Sequence, residues 1–232
     1  MAYSFPIWEN PTVPVHGRTE RFPVRHIYCV GRNYAEHARE MGSDPDKEPP
    51  FFFMKPADAV VPVVPPAIGD VRYPPGTKDY HHEIELVVAI GTIGFRVSPE
   101  NALDLVYGYA VGLDMTRRDL QGQAKKSGRP WDFGKAFAQS APIAPIHRAE
   151  DVGHLTKGAI WLDLNGVRKQ TGDLSQLIWD IPSQIEYLSS LWELKAGDLI
   201  FTGTPAGVGA VKKGDHLKGH VDGVGDLDVT VV

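Results

Sequence analysis

His81-His82-Glu83-Ile84-Glu85-Leu86-Val87-Val88-Ala89-Ile90-Gly91 carries both the fold and the chemistry of this chain. From Ile84 to Ile90 it reads as a buried strand, apolar or β-branched at every position but one and closed by glycine. Residues two apart on a strand face the same side. Glu83 and Glu85 therefore project together, and Ile84, Leu86, Val88 and Ile90 face the opposite, core side. Two carboxylates at the start of an apolar strand cost free energy unless a positive charge neutralises them. A divalent cation does so, and an oxygen-only ligand set selects Mg²⁺, Mn²⁺ or Ca²⁺ over zinc. The pair alone is not diagnostic. With 29 acids in 232 residues, such pairs arise roughly four times by chance, and an exposed edge with solvated acids reads equally well.

The next strand, Val106 to Leu113, supplies context. Tyr107, Tyr109, Val111 and Leu113 form one bulky face; Gly108, Ala110 and Gly112 form the other, which ends in Asp114. A face of small side chains ending in a carboxylate suits the floor of a pocket with a third metal ligand at its rim. The other reading is close packing of a second backbone against the small residues.

Further strands are expected at Arg25–Val30 and across Ala159–Asn165 and Gly166–Gln170, where Asn-Gly marks a hairpin. Residues 219–232 alternate as one more strand, with a bulge at Gly223 and Gly225. Helices are fewer: Tyr34 to Met41, ending at Gly42; Pro99 to about Leu105, capped by Ser98; and Pro182 to Leu191, with Thr116 to Lys126 either a surface helix or an ordered loop. Strands outnumber helices without alternating with them, which argues against a doubly wound sheet. The fold class expected is α+β and β-rich, with short peripheral helices. Residues 1–20, spaced by prolines, read as an extended N-terminal arm, and 21–232 as a single catalytic domain.

Several side chains can carry chemistry. His37 and Glu40 share one helical face, as a water-activating dyad requires, though such pairs are common on solvated helices. Arg32 and Lys55 are either site cations or surface charges. Arg118 and Gln121, three apart, can point back at whatever Asp114 holds. Lys135, flanked by apolar residues, reads as buried and paired with an anion. Thr202-Gly-Thr-Pro-Ala-Gly207 after Ile200-Phe201 is a loop whose backbone N–H groups can bind a carboxylate, or a tight turn. Trp131 and Phe133 read as core rather than as walls of a pocket.

Composition sets the boundaries. A net charge of −5 disfavours nucleic acid as a partner. One cysteine, Cys29, excludes an internal disulfide and points to a reducing compartment. No apolar run approaches the roughly 18 residues of a membrane span, and no signal peptide is visible. A cytoplasmic protein with no membrane partner is expected.

Seven segments in register resemble the fumarylacetoacetate hydrolase family: CVGRNYAEHAREMG (29–42), FFFMKPADAVV (51–61), HHEIELVVAIG (81–91), GYAVGLDMTRRDLQ (108–121), RPWDFGKAFAQSAPI (129–143), NGVRKQTG (165–172) and LIFTGTPAGVG (199–209). Within it the chain looks like the single-domain acylpyruvate hydrolases, nearest the branch acting on fumarylpyruvate in gentisate breakdown. The resemblance implies a mixed β-roll or sandwich, a homodimer, a Mg²⁺ or Mn²⁺ cofactor and a small keto-acid substrate. It places the metal ligands on Glu83, Glu85 and Asp114, the dyad on His37 and Glu40 within a lid, and the active-site lysine on Lys135. Arg32, Arg118, Gln121 and Thr204 fall around the substrate. Hydrolytic C–C cleavage of a 3-acylpyruvate is the activity implied, with oxaloacetate decarboxylation or keto–enol tautomerisation as the alternative use of the same site.

Overall fold

The computed structural model describes residues 3–40, 42 and 49–232. The strand Ile84–Ile90 lies inside an eight-stranded mixed sheet, and every one of its residues is buried. Across this sheet the order is Phe51–Lys55, Ile27–Gly31, Leu199–Phe201, Ile84–Ile90, Val106–Leu113, Ala141–Ile143 and Val60–Pro62, with His147–Arg148 also pairing on Val106–Leu113. A five-stranded sheet, Val167–Asp173, Ala159–Leu164, His216–Val221, Gly225–Val231 and Gly69–Val71, covers one face. Its Ile160, Leu162, Leu217 and Leu227 join Ile84, Leu86, Val88 and Ile90 in the larger apolar cluster. On the opposite face Val87 and Ala89 pack in a second cluster with Val13, Ile27, Cys29, Ala110 and Phe201. Burial on both faces accounts for the unbroken apolar run after Glu85.

Helices are short and peripheral, so the expected α+β, sheet-rich class describes the molecule. The longest, Ile181–Leu191, begins at Asp180, whose carboxylate accepts the Ser183 N–H at 2.9 Å. It buries Ile181, Ile185 and Leu188. The first helix, Ala35–Glu40, starts within one residue of the expected position, and Met41, its expected last residue, lies outside the described residues. Thr116 and Arg117 form a strand against Tyr80–His82, and the helix there runs from Arg118 to Lys126. Pro99–Ala102 is helical and Leu103–Leu105 a 3₁₀ turn; the Ser98 hydroxyl takes the Asn101 amide instead of a backbone N–H.

One strand expectation needs correction. Residues 219–232 are not one bulged strand: His216–Val221 and Gly225–Val231 pair antiparallel, and the left-handed φ of 88° at Gly223 lets the chain reverse between them. Residues 1–20, read as an extended arm, differ along their length. Tyr3 to Asn10 are exposed, but Thr12–Pro14 pairs with Arg21–Pro23, Val13 and Val15 are buried, and Val15 bridges to Ile146. The Asn165-Gly166 hairpin forms as read, with φ of 52° and 77° at its two turn residues.

The small face of Val106–Leu113 is occupied, not open. A Cβ on Gly108 would lie 2.2 Å from the His147 carbonyl oxygen, and one on Gly112 would lie 2.7 Å from the Phe201 ring. Close packing, not a pocket floor, explains these residues. Gly108→Ala should therefore destabilise the fold by about 1–3 kcal/mol. Gly122→Ala, in the helix Arg118–Lys126 with nothing within 4 Å of the added carbon, should instead stabilise by about 0.5–1 kcal/mol. Urea unfolding of the two variants checks both signs.

Candidate active site

Strand register assembles the acidic cluster. Ile84 pairs with Leu113 and Glu85 with Gly112, so Glu83 and Asp114 lie opposite each other at the strand ends, where Asp114 N–H donates to the Glu83 carbonyl at 2.9 Å. Directly opposed residues share a face, which puts all three carboxylates on one side. One oxygen from each of Glu83, Glu85 and Asp114 lies within 4.8 Å of the others, and all three residues are buried.

Cations are brought against them from three other elements. Lys135, at the end of the short helix Asp132–Lys135, donates to Glu83 Oε2 and Asp114 Oδ2, each at 2.7 Å. Arg118 reaches Glu83 Oε1 with one nitrogen and Gln121 Oε1, at 2.6 Å, with another. Lys55 ends its strand directly below. Its ammonium pairs with Asp114 Oδ1 at 2.8 Å and spends its hydrogens on the carbonyls of Met115 and Lys135. Burial opposes ionisation of Glu83, but Lys135 and then Arg118 outweigh it and hold its carboxyl well below the usual range. Burial likewise opposes the charge on Lys135, and Asp114 with Glu83 overturns that.

Glu85 is left short of positive charge. Burial, Asp114 and Glu83 all push its pKa well above the ordinary value, and the opposing contributions are the Gly203 N–H, donated at 2.8 Å, and distant Lys135. Gly203 can sit there only as glycine, with φ of 102° and the Asn33 Cβ 2.6 Å from where its own Cβ would be. Three buried carboxylates, one of them poorly compensated, fit a hard divalent cation in donor type and in missing charge.

The cleft above is lined by Arg32, His37, Phe53, Glu83, Glu85, Arg118, Gln121, Lys125, Trp131, Lys135 and Thr204. Every residue expected to surround a ligand is thus at this cleft except Asp114 and Glu40, which contact it through Lys135 and His37. His37 Nδ1 is 3.3 Å from Glu40 Oε2, and the Gly207 N–H also points at that oxygen at 3.3 Å. Burial holds the His37 pKa below its ordinary 6.5, while Glu83 and the Glu40 hydrogen bond act the other way.

Trp131 and Phe133 are not core. Phe133 is 80% exposed. Trp131 lines the cleft with its ring 4.8 Å from Phe51 and 5.7 Å from Phe53, and Arg32 approaches its face at 5.9 Å. The sequence reading also left Lys55 undecided. Its neighbours Phe53, Met54 and Pro56 gave no acid to pair with, because its partner Asp114 arrives from a different strand. Gln170, which ties the Thr204 loop to the start of Ile84–Ile90, was missed altogether; a glutamine between Lys169 and Thr171 in a solvent-facing pattern gives no signal.

The family model described as fumarylacetoacetate (FAA) hydrolase C-terminal matches residues 26–232, and the chain belongs to the fumarylacetoacetate hydrolase family. Among curated relatives, fumarylpyruvate hydrolase of Ralstonia sp is 46% identical over 193 residues, 82% of this chain and 98% of that protein. Mitochondrial oxaloacetate tautomerase FAHD1 of Bos taurus is 42% identical over 200 residues, 86% of this chain and 88% of that protein. The crystal structure of fumarylpyruvate hydrolase from Pseudomonas aeruginosa in complex with Mn²⁺ and pyruvate superimposes with a TM-score of 0.98 at 53% identity, covering 100% of this chain and 99% of that one.

Burial and its two neighbouring acids push the Glu85 pKa upward, so keeping a titratable carboxyl at this position costs stability when no cation is bound. Glu85→Gln should raise the metal-free melting temperature by ~2–4 °C, the shift that about 1 kcal/mol produces at this size. The same variant should lose the further rise that Mn²⁺ gives the unaltered protein. Scanning calorimetry with and without Mn²⁺ reads both effects.

Proposed function

We propose that this protein hydrolyses the C–C bond of a 3-acylpyruvate, with fumarylpyruvate as substrate and fumarate and pyruvate as products. The observation that carries the reading is the meeting of two machineries in one cleft: the His37–Glu40 pair on one side, and the carboxylate cluster with Lys135 on the other. Likeness to the two fumarylpyruvate hydrolases supports the choice of acyl group.

Glu83, Glu85 and Asp114 would hold Mg²⁺ or Mn²⁺, which supplies Lewis acidity toward the carboxylate and keto oxygens of the substrate. Arg118, Gln121, Thr204 and Arg32 orient the keto acid. With its Nδ1 hydrogen directed at Glu40, His37 has Nε2 to accept a proton from water. The water oxygen bonds to the distal carbonyl carbon. When that tetrahedral centre collapses, the C–C bond breaks, its electron pair leaves on the three-carbon fragment as the enolate of pyruvate, and the acyl group departs as a carboxylate. The Lys135 ammonium faces the charge that develops on the enolate. A proton then restores pyruvate.

Family resemblance adds a homodimer, a cytoplasmic location and a role in gentisate breakdown to this proposal; among the described residues no helix is long and apolar enough to cross a membrane. A second reading, oxaloacetate tautomerisation or decarboxylation, is favoured by the identity with the bovine tautomerase. It uses enolate stabilisation without an activated water.

Loss of enol absorbance from fumarylpyruvate, acetylpyruvate and oxaloacetate, followed with and without Mg²⁺, separates the readings. Metal-dependent consumption of fumarylpyruvate is expected, and action on oxaloacetate alone would overturn the proposal. His37→Ala should cut hydrolysis by about 10²–10⁴-fold and spare any decarboxylation of oxaloacetate. His37 must be neutral to act, and burial lowers its pKa, so the acid limb of kcat/KM should fall below pH 6.5. Glu40 raises that pKa; Glu40→Gln should therefore move the limb to lower pH while slowing the reaction.

A further inference from the structure

Gln170 belongs to the outermost strand of the five-stranded sheet, yet its side chain is completely buried against the strand that carries Glu83 and Glu85. Four contacts saturate its amide. Oε1 accepts the Ile84 backbone N–H at 3.1 Å and faces His82 Nδ1 at 2.8 Å. Nε2 donates to the Pro205 carbonyl and to Thr204 Oγ1, both at 2.8 Å. Backbone groups fix the orientation of this amide. A flipped side chain would set its NH₂ against the Ile84 N–H and its oxygen against the Pro205 carbonyl, two repulsive contacts. Nε2 is therefore the donor to Thr204, and the Thr204 oxygen is the acceptor. A hydroxyl has one hydrogen. With the protein side of Thr204 supplied by Gln170, that hydrogen is available to the cleft, which Thr204 lines.

We propose that Gln170 is a positioning residue: it holds the Thr204 hydroxyl as an acceptor toward the protein, so that Thr204 donates to an anionic oxygen of the keto acid. The inference rests on the keto-acid reading of the cleft and adds to it a device for polarity. A glutamate at 170 keeps the acceptor for Ile84 but has at most one hydrogen for two acceptors. As a carboxylate it would draw the Thr204 hydrogen toward itself and away from the ligand.

The test uses the full chain loaded with Mn²⁺, with oxalate as a planar stand-in for the pyruvate enolate, and reads oxalate affinity by calorimetry and fumarylpyruvate kinetics. Thr204→Val should weaken oxalate roughly ten- to hundredfold, as loss of a hydrogen bond to a charged group does. Thr204→Ser, which keeps the hydroxyl, should recover most of the oxalate affinity that Thr204→Val loses. Gln170→Glu should match Thr204→Val, with the loss in KM rather than kcat and with Mn²⁺ affinity unchanged, which damage to the strand would not leave intact. The double variant should be no worse than Thr204→Val alone. Gln170→Met, similar in volume with no hydrogen to give, takes the place of Gln170→Glu if that chain does not fold. Unchanged oxalate affinity in Thr204→Val, or losses that multiply in the double variant, would overturn the role of Gln170 and leave the function standing. Failure of the unaltered Mn²⁺ protein to bind oxalate or consume fumarylpyruvate would overturn both.

Discussion

Three carboxylate oxygens within 4.8 Å of one another inside a protein repel strongly, and the elements around them are placed to offset that repulsion. Lys135 bridges two of the acids, Arg118 takes the other oxygen of Glu83, and Lys55 lies beneath Asp114 while bonding the carbonyl of Lys135. These three cations come from a strand end, a helix start and a helix end. The acidic cluster therefore fixes how those elements sit on the sheet. What the cations leave uncompensated, chiefly at Glu85, defines a place for a doubly charged ion.

Apolar packing makes such a cluster tolerable. Ile84–Ile90 is covered on one face by the five-stranded sheet and on the other by the second apolar cluster, so its first residues are held rigidly by the last ones. Two loops then close over the polar end. Asn33 locks the Gly31-Arg32 turn to the other loop through the Thr202 carbonyl, at 2.8 Å. The Thr202–Gly207 loop in turn presents N–H groups to Glu85 and to Glu40. One backbone segment thus touches both the carboxylate cluster and the histidine pair. Metal chemistry and proton transfer are held in a common frame rather than on separate flexible loops.

Legibility from the chain followed the range of the interaction. Alternation placed Glu83 and Glu85 together, and the same alternation put Asp114 on the far end of the small face, because strand geometry has a period of two wherever the strand lies. The small face itself was ambiguous, since glycines answer to whatever packs on them: here the His147 backbone and the Phe201 ring. Lys55 and Trp131 were misjudged or left open for a related reason. Their neighbours in sequence carry no sign of the Asp114 carboxylate or of the Phe51 and Phe53 rings that set their environment.

By itself the sequence determined the strand-rich class, the turn residues, the buried run after Glu85 and the family to which its spaced motifs belong, because each of these depends on local geometry or on order along the chain. Tertiary structure alone decided which cations meet which carboxylates, that Gln170 crosses between sheets to reach Thr204, and that Trp131 faces a cleft rather than a core. Those outcomes depend on strand pairings and side-chain contacts between residues far apart in the chain, 86 positions in the case of Ile84 and Gln170. Charge and hydrogen bonding act through space over a few ångströms, and proximity of that kind is fixed only when the chain has folded.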